Sequence, residues 1–182
     1  MGAKGDNTKQ KIMDTAYEIF AKYGYKDVTM KDICEATGLS RGGLYRHFSC
    51  TEDILMQILS VEITFDDKLL EGVSAVEVLD EMLLACEQEM LDKEKSLSLA
   101  IYELASTGKQ DFFAEINNRA INRWCRLIQY GMDRGEFKKV DPRTVAELIL
   151  YSYQGVRMWS GVMNLGPDTA HNIIVGIRQM LI

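Results

Sequence analysis

Proline is scarce, with two in 182 residues, and no stretch between turn signals alternates apolar and polar residues as a half-buried strand does. The first scarcity excludes collagen-like and proline-rich linker architectures, and the second leaves the helix as the repeating element. Cys34, Cys50, Cys86 and Cys125 stand 16, 36 and 39 positions apart with no C-x-x-C pair, and the chain has only two histidines. Neither a zinc site nor a disulfide framework is signalled, so no metal or other cofactor is expected. No apolar run approaches the roughly eighteen residues that a membrane span requires, and the first ten residues lack the apolar centre of a signal peptide. Asp6 stands where a myristoylation signal needs Ser or Thr. The expected setting is the cytoplasm, with no membrane partner. No nucleophile-base pair or carboxylate cluster stands out by spacing, so an enzyme is not expected.

What is present is an ordinary globular composition, 26% charged and 47% hydrophobic. The net charge of −6 argues at first against nucleic acid, because a DNA-binding surface uses Lys and Arg to displace counterions from phosphates. The charge is unevenly placed, however. Residues 1 to 50 carry eight Lys or Arg against six Asp or Glu, and residues 51 to 182 carry thirteen against twenty-one. A mildly basic head precedes an acidic body.

Helical periodicity recurs along the whole chain. A first helix is expected from about Thr8 to Tyr23, with Ile12, Ala16, Ile19, Phe20 and Tyr23 on one face. Thr29 suits the N-cap of a short second helix through Ala36, with Asp32 completing a capping box. Thr37-Gly38-Leu39-Ser40 reads as a turn, after which Ser40 caps a third helix to about Phe48 and Thr51-Glu52-Asp53 opens a fourth. Beyond Gly72 the apolar stripes lengthen. Asp141-Pro142 opens a helix to about Val162 that is apolar nearly all round, and Gly166-Pro167 opens a last one with a dense isoleucine stripe. Such a pair is too apolar to be left against water, which points to dimerisation through the last two helices. The expected architecture is all-α: a helix-turn-helix head of three helices over residues 1–50, extending along a linking helix to about residue 70, and a larger helical domain over residues 51–182.

Residues 29 to 48, TMKDICEATGLSRGGLYRHF, have the layout of a helix-turn-helix. Ile33, Leu39, Leu44 and Phe48 are spaced to pack inward, which leaves Arg41, Gly42, Gly43, Tyr45, Arg46 and His47 outward on the second helix. Two glycines in so short a helix forfeit roughly 1 kcal/mol each relative to Ala, so close approach by another backbone explains them better than helix propensity. Arg41 and Arg46 suit either phosphate clamps or bidentate contacts to guanine. Tyr45 suits either a phosphate contact or packing against the first helix. His47 and Cys50, three apart and without further partners, do not make a metal site.

Phe20, Gly24 and Tyr25, then Thr29, Asp32 and Ile33, then GLSRGGLYRHF from Gly38 to Phe48, then the Thr51-Glu52-Asp53-Ile54 opening, together resemble the TetR family of bacterial transcriptional regulators. The resemblance covers about a third of the chain, and beyond it only the helical architecture is similar. It implies that Thr29 and Lys31 approach the DNA backbone and that Arg41, Gly42, Gly43, Tyr45 and His47 face DNA. It also implies a body that binds a small ligand and dimerises through its last two long helices. Two positions depart from the family pattern: Gly43 stands where Thr, Ser or Ala is common, and Thr51 where a lysine often opens the fourth helix.

Ten methionines and several aromatic residues suit an adaptable apolar pocket. The candidate lining is Met82, Cys86, Tyr102, Trp124, Tyr153 and Trp159, each of which also suits ordinary core. The expected function is a ligand-responsive regulator, a repressor, that binds an inverted-repeat double-stranded DNA operator as a homodimer and is released by a small apolar molecule. Its rivals are a helical small-molecule carrier and a protein-interaction module, either with a vestigial head.

Overall fold

The structure, a computed structural model, describes residues 3–61 and 66–182. Among them the chain forms ten helices and no strand, as the periodicity requires: α1 (Ala3–Tyr23), α2 (Met30–Thr37), α3 (Arg41–Tyr45), α4 (Thr51–Leu59), α5 (Asp66–Leu70), α6 (Ala75–Leu91), α7 (Ser98–Ala105), α8 (Gln110–Asp133), α9 (Pro142–Ser160) and α10 (Pro167–Leu181). No helix of the described residues is long and apolar enough to cross a membrane.

The described residues cluster into two compact units, one from Met1–Val61 with Glu94–Asp111, the other from Glu62–Lys93 with Phe112–Ile182. In the first, α1 packs against α2, α4 and α7. Ile12, Ala16 and Phe20 of α1 are wholly buried, as are Ile33 of α2, Leu44 of α3 and Ile54 and Leu55 of α4. Tyr23, expected on the same apolar face, is 52% exposed, and the Lys22 ammonium lies 4.9 Å from its ring centroid. Met13 is buried instead.

The segment Glu94–Asp111, which follows α6 in sequence, belongs to this first unit although the sequence division places it in the larger domain. The Glu103 carboxylate of α7 accepts hydrogen bonds from the backbone N–H of Tyr25 at 2.6 Å and of Lys26 at 2.9 Å, and Lys109 pairs with Glu52 at 2.7 Å. Leu97, Ala100 and Leu104 supply its buried face.

In the second unit α6 packs against α9 and α10, and α9 against α10. Leu79, Trp124, Leu127, Ile149, Ile177 and Leu181 lie in one apolar cluster. Asp141 caps α9 by accepting from Thr144 N at 2.9 Å, and Pro142 occupies the start of the helix, where its missing N–H removes no bond. Gly131 lies inside α8, and a Cβ on it would run into the Phe137 ring. Its role is to admit that ring.

Candidate nucleic-acid interface

The second helix of the motif is positioned by two caps and a turn. Thr29 Oγ1 accepts from Asp32 N at 3.4 Å while the Thr29 N–H donates to Asp32 Oδ2 at 2.8 Å, the reciprocal capping box expected from the sequence. The Thr29 hydroxyl, which also donates to Asp32 Oδ2, and the Thr29 N–H together hold the Asp32 carboxyl below the usual carboxylate range. Gly38 has φ +72°, the left-handed conformation that ends α2, and its N–H donates to Cys34 O at 3.0 Å. Lys11 Nζ donates to Thr37 O at 3.2 Å, satisfying a carbonyl at the same helix end. Ser40 then caps α3 by accepting from Gly43 N at 3.1 Å.

Helix α3 is shorter than the sequence suggests, ending at Tyr45 rather than near Phe48. Both His47 N and Phe48 N donate to Leu44 O, at 2.9 and 3.1 Å, in a tight turn that carries the Phe48 ring back into the core. Leu44 and Phe48 are therefore the inward anchors, with Ile33 facing them. Leu39 is only partly buried.

The opposite side of α3 is open. Arg41, Gly42, Tyr45 and Arg46 are exposed, and Gly43 and His47 are half-buried. Tyr45 keeps 52% of its accessible surface, so it does not pack into the core against α1. A Cβ on Gly42 would meet nothing within 4 Å, whereas one on Gly43 would lie 3.3 Å from Ser40 Oγ. On α2, Lys31 is exposed and only loosely paired with Glu35, at 3.6 Å. Thr29 is exposed too, but its hydroxyl donates to Asp32 at 2.5 Å and would have to re-aim to reach a phosphate. The structure thus brings the residues expected to face DNA onto adjoining exposed stretches of α2, α3 and the turn after it. What they offer together is two guanidiniums, an ammonium, a phenol hydroxyl and, at Gly42, backbone without a side chain.

The residues expected to line a pocket are not brought together as a set. Trp124 is 3% exposed and belongs to the apolar cluster of the second unit, with Met82, Cys86 and Tyr153 packed against it. Trp159 is 53% exposed on α9, and Tyr102 is 63% exposed on α7, in the first unit. Periodicity marks such residues as sharing a stripe, but it does not tell which stripe is covered by a neighbouring helix. Burial pushes the Cys86 thiol up to about 11, keeping it neutral at ordinary pH. The structure also adds polar residues to this region that the apolar stripes did not reveal: the Tyr153 hydroxyl donates to Glu89 and accepts from Arg157. The signal was available as Tyr153 and Arg157 at i, i+4 on one face of α9.

Known proteins place the chain among regulators of one kind. Residues 12–58 match the family model described as bacterial regulatory proteins, tetR family. The uncharacterized HTH-type transcriptional regulator YfiR of Bacillus subtilis (strain 168) is 28% identical over 161 residues, spanning 83% of this chain and 78% of that protein. The HTH-type transcriptional repressor KstR2 of Rhodococcus jostii (strain RHA1) is 26% identical over 147 residues, 75% of this chain and 70% of that one. Among solved structures, a putative transcriptional regulator from Saccharomonospora viridis in complex with choline superposes with a TM-score of 0.71 at 21% identity, covering 97% of this chain and 98% of that one. With the capped helix-turn-helix inside the matched residues and an all-helical fold beyond them, the head of the chain, residues 12–58, is of the kind described as bacterial regulatory proteins, tetR family.

Proposed function

We propose that the protein is a dimeric, cytoplasmic DNA-binding repressor whose α3 enters the major groove and whose second unit receives a small molecule that releases the DNA. The observation that carries this reading is the two-sidedness of α3: Leu44 is fully buried while Arg41, Gly42, Tyr45 and Arg46 stand in solvent. A helix held by one apolar anchor with cations and bare backbone outward is suited to phosphates and base edges. In this reading Thr29 and Lys31 meet the backbone from α2, Arg41, Gly42, Gly43, Tyr45 and His47 face the duplex from α3 and its following turn, and Arg46 contributes a further cation. None of these roles needs a catalytic group.

The second copy is the proposed occupant of the apolar surface on α9 and α10, where Leu148, Tyr151, Trp159 and Met180 are 40% exposed or more. A dimer places two copies of α3 on half-sites about one helical turn apart, roughly 35 Å, so the operator is an inverted repeat. The ligand acts by binding more tightly to a conformer that does not match this spacing, since a ligand indifferent to conformation shifts nothing. The small molecule is proposed to lodge in the second unit near Met82, Cys86, Trp124 and Tyr153; the choline bound by the Saccharomonospora neighbour supports a ligand-receiving body in this fold.

Selection of bound duplexes from a random pool, followed by gel retardation at two salt concentrations, tests the reading. Enrichment of an inverted repeat with salt-sensitive retention supports it. Recovery of unrelated sequences would favour a carrier or an interaction module.

A further inference from the structure

Helix α9 buries Val145, Ala146, Ile149, Leu150 and Val156, and Arg157 is a largely buried cation beside this face. The Arg157 side chain keeps 14% of its accessible surface, and its Nε is buried with no hydrogen-bond partner. A guanidinium has five N–H donors that lie in one plane as a fork. Here Nη1 donates to the Tyr153 hydroxyl, and the cation sits 5.0 Å from the centroid of the same ring. Its carboxylate partner is Glu89 on α6, but Nη1 and Oε2 are 3.7 Å apart and Glu89 is 49% exposed. The pair is not the close, two-pronged contact that Arg and a carboxylate make when geometry allows.

The neutral Cys86 thiol, one turn before Glu89 and largely buried, feels the Glu89 carboxylate and, with opposite sign, the Arg157 guanidinium. The Arg157 guanidinium thus meets one carboxylate that is half in water. Alongside, Met82 and Cys86, four apart on α6, present a partly buried apolar strip packed against the core. An uncharged ligand entering here leaves the Arg157 fork as it is, and a cationic one meets a guanidinium. An acid supplies what the fork lacks.

We propose that this cluster binds a small amphipathic carboxylic acid, whose carboxylate takes the place of Glu89 on Arg157 and Tyr153 and whose apolar portion lies along Met82 and Cys86. Glu89 is the built-in competitor: half-exposed, it swings to solvent when the ligand carboxylate arrives, so the charge of the cluster is conserved. The assignment rests on the reading of the chain as a ligand-responsive regulator and names the chemical class of its ligand, an acid rather than the purely apolar molecule that the composition suggests.

Isothermal titration of the full chain with decanoate, decanol and decyltrimethylammonium, each below its micellar concentration, separates the classes. Decanoate is expected to bind saturably, with the alcohol and the quaternary amine weaker by about tenfold or more, as loss of a charge-assisted fork implies. Arg157→Gln should weaken decanoate by about tenfold or more, and Glu89→Gln should tighten it, because the internal competitor loses its charge. The Glu89→Gln arm stands even if Arg157→Gln fails to fold. Equal affinity for the three probes, binding of none, or a Glu89→Gln variant no tighter than the parent overturns the proposal. Operator retention is measured on the same preparations. A protein that holds its operator and ignores decanoate overturns this assignment alone, whereas one that binds decanoate through Arg157 and holds no operator overturns the regulator reading alone.

Discussion

Gly42 is exposed on α3, and a Cβ there would touch no atom of the protein within 4 Å, so the molecule's own packing does not require a glycine. If the position serves the close approach of a DNA backbone, Gly42→Ala separates stability from function. Melting should be unchanged or improved, by up to about 1 kcal/mol from helix propensity, while operator affinity falls by about tenfold. Unchanged affinity would remove Gly42 from the interface. Tyr45, 52% exposed, has a similar diagnostic. Tyr45→Phe should weaken operator binding by several-fold, as loss of one hydrogen bond of about 1 kcal/mol implies, with the melting temperature held. A fall in both would return the ring to packing.

Glu136 carries a pH signature in the second unit. Its carboxylate accepts from Arg134, from Ser74 Oγ at 2.7 Å and from Val76 N at 3.3 Å, and these partners lower its pKa from the ordinary 4.5 to about 2, with the Arg134 hydrogen bond the largest cause. A carboxylate held below its unfolded value contributes stability above that value and loses it as pH falls through the folded one. The wild-type melting temperature should therefore drop more steeply than that of Glu136→Gln between about pH 5 and pH 2, the two converging at the acid end. Parallel curves across that window would show that the carboxylate's partners contribute nothing to folding.

At the scale of elements, the starts of helices were legible because they are local chemistry. Thr29, Ser40 and Asp141 each accept a backbone N–H within three residues, a pattern written in adjacent sequence. The end of α3 was less legible, since the turn at Leu44 is decided by where Phe48 finds burial, and that depends on α1 and α4. Gly131 shows the same limit. It lies within α8, and the need for a glycine there comes from the Phe137 ring, which a Cβ would meet and which local sequence does not announce. Gly131→Ala should overpack this contact and lower the unfolding free energy by about 1–3 kcal/mol despite the better helix propensity of alanine, which denaturant titration checks. A neutral or stabilised variant would mean the ring has room to move.

At the scale of the whole molecule, the basic head and acidic body were visible in the charge count, and the outward residues of the helix-turn-helix in their spacing. The membership of α7 in the unit of the head was not, because it follows from Glu103 meeting the backbone of Tyr25 and Lys26 more than seventy residues away. The body's candidate lining was legible only as residue types: Trp124 is buried and Tyr102 and Trp159 are exposed, a difference that periodicity alone does not make. The polar partners of Tyr153 lie on α6 and α9, and their meeting is tertiary. What the head does is best decided by fluorescence anisotropy of an inverted-repeat duplex recovered from a random pool, titrated at about 50 and 200 mM salt with the wild type and with an Arg41→Ala/Arg46→Ala double variant. Two chains are expected per duplex, with affinity falling steeply as salt rises, and the double variant should lose most of that affinity and part of its salt dependence while melting as the wild type does. A double variant that binds the duplex as tightly as the parent would contradict the assignment of α3 to DNA.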